Sequence, residues 1–286
     1  FAMPRALLLA TLLGRAAALA CVHSGAARPR LLDLRTTTSS RMAIAPAAAT
    51  QALALNSGLA VMGTLAGQRM LTPSGLAHSW GLGVILWTAL GVRGWSTCVL
   101  YLVCGSAVTK LRKAKKEALG IAEGRGGARG PENVWGSAAT AALCAIGSLY
   151  APSLAAIFRM GFVASLATKL ADTCASEVGK AYGKTTYLIT TLRKVPPGTE
   201  GAVSLEGTLA GIAGSIVLAG YGIGVGLVPL GALLPCVLAA FIANNVESLI
   251  GATAQDNVWW LTNEVVNFIN TTVGALVAML MASCIW

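Results

Sequence analysis

The chain has 286 residues, of which 55% are hydrophobic and 11% charged, and its formal net charge is +10. Soluble domains usually contain about 25% charged residues, so this composition excludes an ordinary soluble fold and predicts an integral membrane protein. The positive charge does not indicate nucleic-acid binding, because six of the 21 lysines and arginines precede residue 50 and five more form one short run. We therefore expect no nucleic-acid partner.

Residues 1–49 differ in composition from the rest of the chain. They contain six arginines, no lysine, one acid (Asp33) and a run of hydroxyl residues at 36–40, which is typical of an organelle transit peptide. The stretch at 3–20 has a basic start followed by an apolar run, and so resembles a secretory signal sequence. We predict that residues 1–49 are a targeting segment for a plastid and that residues 50–286 form an integral membrane domain. The alternative is that these residues carry no targeting signal.

Apolar stretches follow one another along residues 50–286. A hydrocarbon core of about 30 Å needs roughly 20 apolar residues per helix. The second and third stretches are short and could form a re-entrant pair. We predict an all-α, polytopic membrane protein with about seven transmembrane helices, within a range of six to eight. The predicted spans are 51–71, 80–92, 96–109, 133–150, 153–171, 202–218, 225–243 and 265–285.

Three polar loops are predicted on one face of the membrane. Two spans separate the loop at 110–133 from the loop at 172–201, and two more separate that loop from the one at 244–264. The first loop carries the run of lysines and arginines, so we expect this face to be cytoplasm-like or stromal. Acids so close to lipid are normally functional, and six of the 11 acids lie here: Asp172, Glu177, Glu200, Glu206, Glu247 and Glu264.

The segment at 124–133 is rich in glycine and carries two guanidinium groups. Its sequence, GRGGARGPEN, is a flexible backbone of the kind that can wrap an anion, and Arg125 and Arg129 can each offer paired donors to phosphate. Asn133 completes this motif. Glycine and arginine also occur together in ordinary linkers, so the motif alone is weak evidence for an anion-binding site.

Charged residues of both signs recur at helical spacing in ATKLADTCASEVGKAYGK. Lys169 and Asp172 share one helical stripe, and Glu177 and Lys180 lie on an adjoining one. A carboxylate here can hold Mg²⁺ while the lysines contact phosphate oxygens, as phosphoryl transfer requires. We predict these four residues to be catalytic. The alternative is an amphipathic interfacial helix with internal ion pairs.

A proline-glycine turn at 196–201 precedes the next predicted helix. Such a turn presents free N–H groups and a positive helix end, which favour phosphate, so we predict that Gly198, Thr199 and Ser204 bind phosphate. Glu206 lies about one turn inside this helix, which is costly without a metal ion or a lysine. We predict Asp172 and Glu206 as the metal ligands.

The same predicted helix carries a stripe of small residues. Gly207, Gly211 and Gly214 lie on one face. In membrane helices this spacing more often indicates close packing against a neighbouring helix than ligand binding. We therefore predict that the glycine stripe is a packing surface.

Polar residues also continue into the last two spans. Glu247 lies at the end of one span, while Asn263, Asn267 and Asn270 form a stripe some three turns long in the next. Lipid cannot face such a stripe, so it must line the bundle interior or a cavity. We assign these residues to substrate or nucleotide binding. Hydrogen bonding between helices is the alternative.

From about Gly124 to the C-terminus, the chain resembles the phytyl-phosphate kinase family of plastids and a related integral membrane family of archaea, bacteria and eukaryotes. This family is distantly similar to dolichol kinase and CDP-diacylglycerol synthase, which use CTP and Mg²⁺ on lipid substrates. The resemblance covers a motif-bearing core at 124–274. It rests on five ordered segments: GRGGARGPENVWGSAATAAL, ATKLADTCASEVGKAYGK, TTLRKVPPGTEGAVSLEGTLAG, NNVESLIGA and LTNEVVNFINT.

The resemblance implies transfer of the γ-phosphoryl group of CTP to phytyl (prenyl) monophosphate. The product, phytyl diphosphate, would feed tocopherol (vitamin E) and phylloquinone synthesis from chlorophyll-derived phytol, in a chloroplast membrane. The residue types agree, because this chemistry needs cations, a metal and positioning rather than histidine, and the chain has only His23 and His78. A membrane cytidylyltransferase acting on a lipid phosphate and an ion-coupled transporter or flippase are the alternatives. Oligomeric state is left open.

Overall fold

The computed structural model describes residues 46–65 and 70–285, all of which belong to one compact unit of the chain. The predicted targeting segment therefore lies outside the described residues, apart from its last four positions. The described residues form eight α-helices: α1 (Pro46–Leu65), α2 (Pro73–Thr109), α3 (Lys113–Ala118), α4 (Pro131–Tyr150), α5 (Ala155–Tyr182), α6 (Leu205–Gly224), α7 (Leu233–Thr253) and α8 (Asn263–Ile285).

The helices confirm the predicted polytopic membrane architecture. Five helical segments are long and apolar enough to cross a bilayer: Pro73–Thr109, Pro152–Tyr182, Leu205–Gly224, Leu230–Thr253 and Asn263–Cys284. Helices α1 and α4 add 20 residues each to the bundle. Large apolar side chains point outwards, among them Leu209, Val217, Leu234 and Leu280, each more than half exposed. A surface of this kind suits contact with lipid tails.

Helix α2 is a hairpin rather than a straight rod. At Gly91 the backbone has φ 64° and ψ −159°, a conformation essentially restricted to glycine. Thr72 N donates to Arg129 O at 3.0 Å, and the Arg129 guanidinium also lies 5.0 Å from the ring centre of Tyr101. In a straight helix, residues 72 and 101 would lie about 43 Å apart. The two short predicted spans are therefore the two arms of one hairpin, which turns at Gly91.

Helix α5 is the centre of the bundle and packs against α2, α4, α6, α7 and α8. Every residue from Met160 to Asp172 is buried. The glycine stripe of α6 faces it: a Cβ on Gly207 would lie 2.6 Å from Ala175 O, and one on Gly211 would lie 3.0 Å from Ala171 O. Only glycine allows this approach, so the predicted packing role of the stripe is confirmed.

A small antiparallel sheet, which the all-α prediction did not include, joins α5 to α6. Its strands are β1 (Thr186–Leu188), β2 (Lys194–Val195) and β3 (Ala202–Val203), in the order β2-β1-β3. Thr186 pairs with Val195, and Leu188 pairs with Ala202. The sheet gives the segment between the two helices a defined path across the polar end of the bundle.

Candidate active site

The three polar loops meet around one cavity of about 410 Å³. Residues from α2 and from α4 to α8 line it, together with the segment that carries the small sheet. The prediction that the three loops share one face is therefore confirmed. Twelve of the predicted site residues line this cavity: Arg129, Asn133, Lys169, Asp172, Glu177, Lys180, Gly198, Thr199, Ser204, Glu247, Asn263 and Asn267.

A buried charged cluster lies in the wall of the cavity. Lys169 Nζ donates to Asp172 Oδ2 at 2.5 Å and to Asn267 Oδ1 at 2.6 Å. These three side chains are all buried, although they come from α5 and α8. Ser176 Oγ lies 3.4 Å from Asp172 Oδ1, on the next turn of α5. Lys169 is thus held between a carboxylate and an amide at the wall of the cavity.

Glu247 of α7 supplies the second carboxyl group of this cluster. Its carboxyl group lies close enough to that of Asp172 for the two to interact, and both residues line the cavity. Asn270 Nδ2 donates to Glu247 Oε2 at 2.5 Å and to Asn244 Oδ1 at 3.2 Å, so α8 also orients this group. Two adjacent carboxylates repel each other unless a proton or a cation lies between them. The pair is therefore suited to binding a cation.

Glu177, predicted to be catalytic, is engaged in a different interaction. Its carboxylate forms an ion pair with Lys116 of α3, and both side chains are at least 98% buried. Lys116 Nζ also donates to Thr109 O at 2.7 Å, while Lys180 is 4.0 Å from the other Glu177 oxygen. Sequence reasoning missed Lys116, because it lies within a run of basic residues typical of a membrane flank.

Arg129 and Asn133 lie where α2, α4 and α8 meet. Arg129 Nη1 donates to the Tyr101 hydroxyl, and Asn133 Nδ2 donates to Glu264 Oε1 at 3.1 Å. Tyr101 also lines the cavity, and it is a site residue that sequence reasoning missed. A tyrosine in an apolar run carries no signal of its own. Only the fold of α2 brings it to the arginine.

Three predicted site residues do not line the cavity: Glu206, Arg125 and Asn270, of which Asn270 instead donates to Glu247 and Asn244. Glu206 does not line the cavity: its carboxylate accepts a hydrogen bond from Lys184 N at 3.4 Å. Ser204 and Gly207 face α5, and one helical residue turns the chain by about 100°, so Glu206 points elsewhere. Arg125 is also outside the cavity. Its guanidinium forms an ion pair with Glu132 and donates to Asn133 Oδ1 at 2.6 Å.

The Arg125 contact affects the exposed carboxyl group of Glu132, which lies in the first turn of α4. The pKa of Glu132 is held below its usual value, first by a hydrogen bond from its own backbone N–H and then by Arg125. This ion pair is half exposed, and such pairs contribute little to stability. Arg125 thus contacts Asn133 from outside the cavity.

The turn at 198–204 borders the cavity, but its two hydroxyl groups already have partners within the protein. Ser204 Oγ caps α6 by accepting from Gly207 N at 3.1 Å, and Thr199 Oγ1 donates to Pro196 O at 2.8 Å. Gly198 adopts φ +90°, which glycine adopts readily. The predicted phosphate role of these residues therefore relies on backbone N–H groups rather than on the two hydroxyls.

No group of three histidine, cysteine, aspartate or glutamate side chains converges as a metal site within residues 46–65 and 70–285. Mg²⁺ commonly binds through one or two carboxylates and takes its other oxygens from water and substrate phosphates. The paired oxygens of Asp172 and Glu247 fit that requirement, whereas the predicted pair of Asp172 and Glu206 does not. The revised candidate ligands are therefore Asp172 and Glu247.

A multi-pass helical bundle is the architecture of an integral membrane protein, and the polar cavity at one end is its candidate ligand site. The match to a family model agrees with this class: residues 56–275 match the family described as integral membrane protein DUF92. The chain belongs to this family. Among solved structures, none matches the chain.

Curated relatives come from cyanobacteria, plants and archaea. An uncharacterized membrane protein, sll0875, of Synechocystis is 57% identical over 80% of this chain and 89% of its own length. Protein VTE6, chloroplastic, of Arabidopsis thaliana is 50% identical over 74% of this chain and 65% of its own length. An uncharacterized membrane protein, MJ0933, of Methanocaldococcus jannaschii is 31% identical over 74% of this chain and 86% of its own length.

Proposed function

We propose that the protein is a prenyl-phosphate kinase that transfers the γ-phosphoryl group of CTP to phytyl monophosphate, producing phytyl diphosphate and CDP. The observation that carries this proposal is the cluster of Lys169, Asp172 and Glu247 in the wall of a polar cavity. The resemblance to plastid phytyl-phosphate kinases supplies the substrates. Similarity to a plant protein named VTE6, chloroplastic, over most of the chain supports the same assignment.

The proposed step balances without a protein nucleophile. An oxygen of the lipid monophosphate, already anionic, attacks the γ-phosphorus of CTP, and the bond from that phosphorus to the β-bridging oxygen breaks. The electron pair leaves with CDP, so no histidine or serine has to give or take a proton. The protein contributes positioning and charge stabilisation, which are the main requirements of phosphoryl transfer.

Each cavity residue has a role that follows from its position. Lys169 is oriented by Asp172 and Asn267, and it can contact a phosphate oxygen as negative charge develops. Lys180, a quarter exposed at the cavity wall, can neutralise the nucleotide phosphates. When bound by Asp172 and Glu247, Mg²⁺ would neutralise charge on the phosphate oxygens.

A plastid membrane is the proposed location. The Arabidopsis relative is named chloroplastic, and another close relative comes from a cyanobacterium. The composition of residues 1–49 also resembles a transit peptide. Fusing residues 1–49 to a fluorescent protein in an algal or plant cell tests this proposal, because plastid import is expected with the six arginines and its loss is expected when they are changed to glutamine.

The kinase proposal is tested with purified protein in detergent or nanodiscs, Mg²⁺ and phytyl monophosphate. Two parallel reactions contain CTP labelled at either the γ- or the α-phosphate. We expect γ-label in phytyl diphosphate and α-label in CDP, with both signals lost in Asp172→Asn. If α-label appears in the lipid and pyrophosphate is released, the enzyme is a cytidylyltransferase. If no nucleotide supports lipid turnover, the proposal is wrong, and an ion-coupled transporter or flippase becomes the favoured hypothesis.

A further inference from the structure

A second, apolar cavity adjoins the polar one. It has a volume of about 210 Å³ and lies between α1, both arms of the α2 hairpin and α4. We name it the α1–α2 groove and define it by six of its lining residues: Leu59, Leu76, Ser79, Trp80, Leu86 and Ala138. The kinase proposal does not assign this groove a role.

The groove and the polar cavity share one wall. Tyr101, Arg129, Asn133 and Ser137 line both spaces. Arg129 is therefore a cation at the boundary between a polar chamber that holds the Lys169–Asp172 pair and an apolar chamber. A molecule that occupied both would need an anionic head and a hydrocarbon tail.

The groove also extends to the outer surface of the bundle. Leu59 and Trp80 line it and are 42% and 36% exposed, respectively. Apolar side chains surround this opening, and a surface of this kind suits contact with lipid tails. A hydrocarbon tail could enter from the bilayer, and any part longer than the groove could remain among the lipid tails.

We propose that the α1–α2 groove binds the tail of the lipid monophosphate and that Arg129 binds its phosphate where groove and cavity meet. This inference rests on the proposed function, because it names where the acceptor of that reaction lies. The phosphate would enter the polar cavity from the α4 side, while the nucleotide would occupy the side formed by α5 and the segment at 198–204.

The first test compares two insertions of the same side chain on the same helical arm. Ser79→Phe places a phenyl ring in the groove, whereas Ala77→Phe places it two residues away on the exposed surface. Because the ring fills the groove, Ser79→Phe should raise KM for a C20 monophosphate about tenfold, leave KM for CTP within about twofold, and affect a C5 monophosphate less. Ala77→Phe should behave as wild type. Equal KM values for the two variants would overturn the assignment.

The second test does not depend on turnover. A prenyl monophosphate with a photoreactive diazirine near the end of its tail is cross-linked to wild-type protein, and the labelled peptides are identified by mass spectrometry. We expect labels in α1 and in the first arm of α2, with competition by phytyl monophosphate and loss in Ser79→Phe. Labels confined to the small cavity of about 60 Å³ beside Phe241 would contradict the proposal.

The two tests separate this inference from the kinase proposal. Specific labelling of the groove in a protein without any CTP-dependent turnover would support a lipid monophosphate site and reject the kinase. Turnover with labels elsewhere would support the kinase and reject the groove. Replacing Arg129 by glutamine adds a check on the head group, because KM for the lipid monophosphate should rise about tenfold and KM for CTP should stay within about twofold.

Discussion

Asp172 and Glu177 lie five residues apart on α5, and both line the cavity, yet their surroundings differ. Glu177 has a buried lysine of its own, Lys116, so the pair is electrically balanced within the protein. Asp172 shares Lys169 with an asparagine and faces the second carboxyl group of Glu247. One acid is therefore satisfied by the fold, whereas the other belongs to a group that still favours a cation. A charged residue in a cavity is a stronger catalytic candidate when the protein leaves its charge unbalanced.

The largest expected effect is on turnover when Asp172 is neutralised. Asp172→Asn should lower kcat about a thousandfold, because loss of one charged group in a preorganised site costs roughly 10²–10³ in rate. Thermal stability should change little, because the charge of Glu247 still balances the buried Lys169 and an asparagine still accepts a hydrogen bond from it. The measurements are CTP-dependent lipid phosphorylation and the melting temperature of the purified protein.

A matched pair of glutamates provides the control for this effect. Glu247→Gln should reduce activity about a hundredfold, whereas Glu206→Gln should leave it within about threefold, because only Glu247 lies beside Asp172. The substitution is the same in both cases. If Glu206→Gln reduced activity more than Glu247→Gln, Glu206 would be the metal ligand, as the sequence predicts, and Glu247 would not.

The next largest effect is on folding rather than on chemistry. Lys116→Met should destabilise the protein by about 3–5 kcal/mol, because the buried carboxylate of Glu177 then keeps only the longer, partly exposed contact with Lys180 at 4.0 Å. Combining it with Glu177→Leu should recover most of that loss, since no buried charge then remains. The measurement is the free energy of unfolding in detergent. If Glu177→Gln instead abolished turnover at unchanged stability, Glu177 would be catalytic, as its sequence motif predicts.

A smaller effect is expected at Asn270, which orients Glu247. Asn270→Ala should raise the Mg²⁺ concentration needed for half-maximal activity about tenfold, because residues that position a metal ligand typically contribute 10–100-fold to affinity. Asn245→Ala is the control, because the Asn245 amide donates to Phe241 O on its own helix rather than to Glu247. A Mg²⁺ titration of both variants makes the comparison, and equal curves would argue against Glu247 as a ligand.

The smallest effect is expected at Arg125, the predicted phosphate-binding residue that the structure places outside the cavity. Arg125→Gln should leave kcat and both KM values within about twofold, because its ion pair with Glu132 is half exposed. Steady-state kinetics with both substrates is the measurement. A large rise in KM for CTP would show that the glycine-rich loop reaches the nucleotide after all.

Much of the site was predictable because membrane helices restrict where polar groups can lie. Asn267 was assigned to the bundle interior because lipid cannot satisfy an amide, and it contacts Lys169 there. The alternative reading of that stripe, hydrogen bonding between helices, also applies: Asn267 and Asn270 hold the catalytic candidates in place. In this bundle, the same polar stripe both borders the cavity and forms hydrogen bonds between helices.

The errors share a physical origin. Helical spacing relates residues on one helix, but it does not say how far a neighbouring helix is rotated or which of its turns lies opposite. Glu206 and Glu247 are both acids close to a span end, and only the packing of α6 and α7 against α5 decides that Glu247 meets Asp172. The hairpin at Gly91 likewise brings Tyr101 to Arg129, although the sequence places them 28 residues apart.

The sequence by itself determined the membrane class of this protein, the common face of its three polar loops and the residue types of its site. Each of these depends on local composition and on the 3.6-residue periodicity within one helix, and both can be read from the sequence alone. Only the tertiary structure decided which carboxylates meet, which lysine is used within the fold and where an apolar groove joins the polar cavity. Those outcomes depend on how helices pack, and packing is set by contacts between residues far apart in the chain.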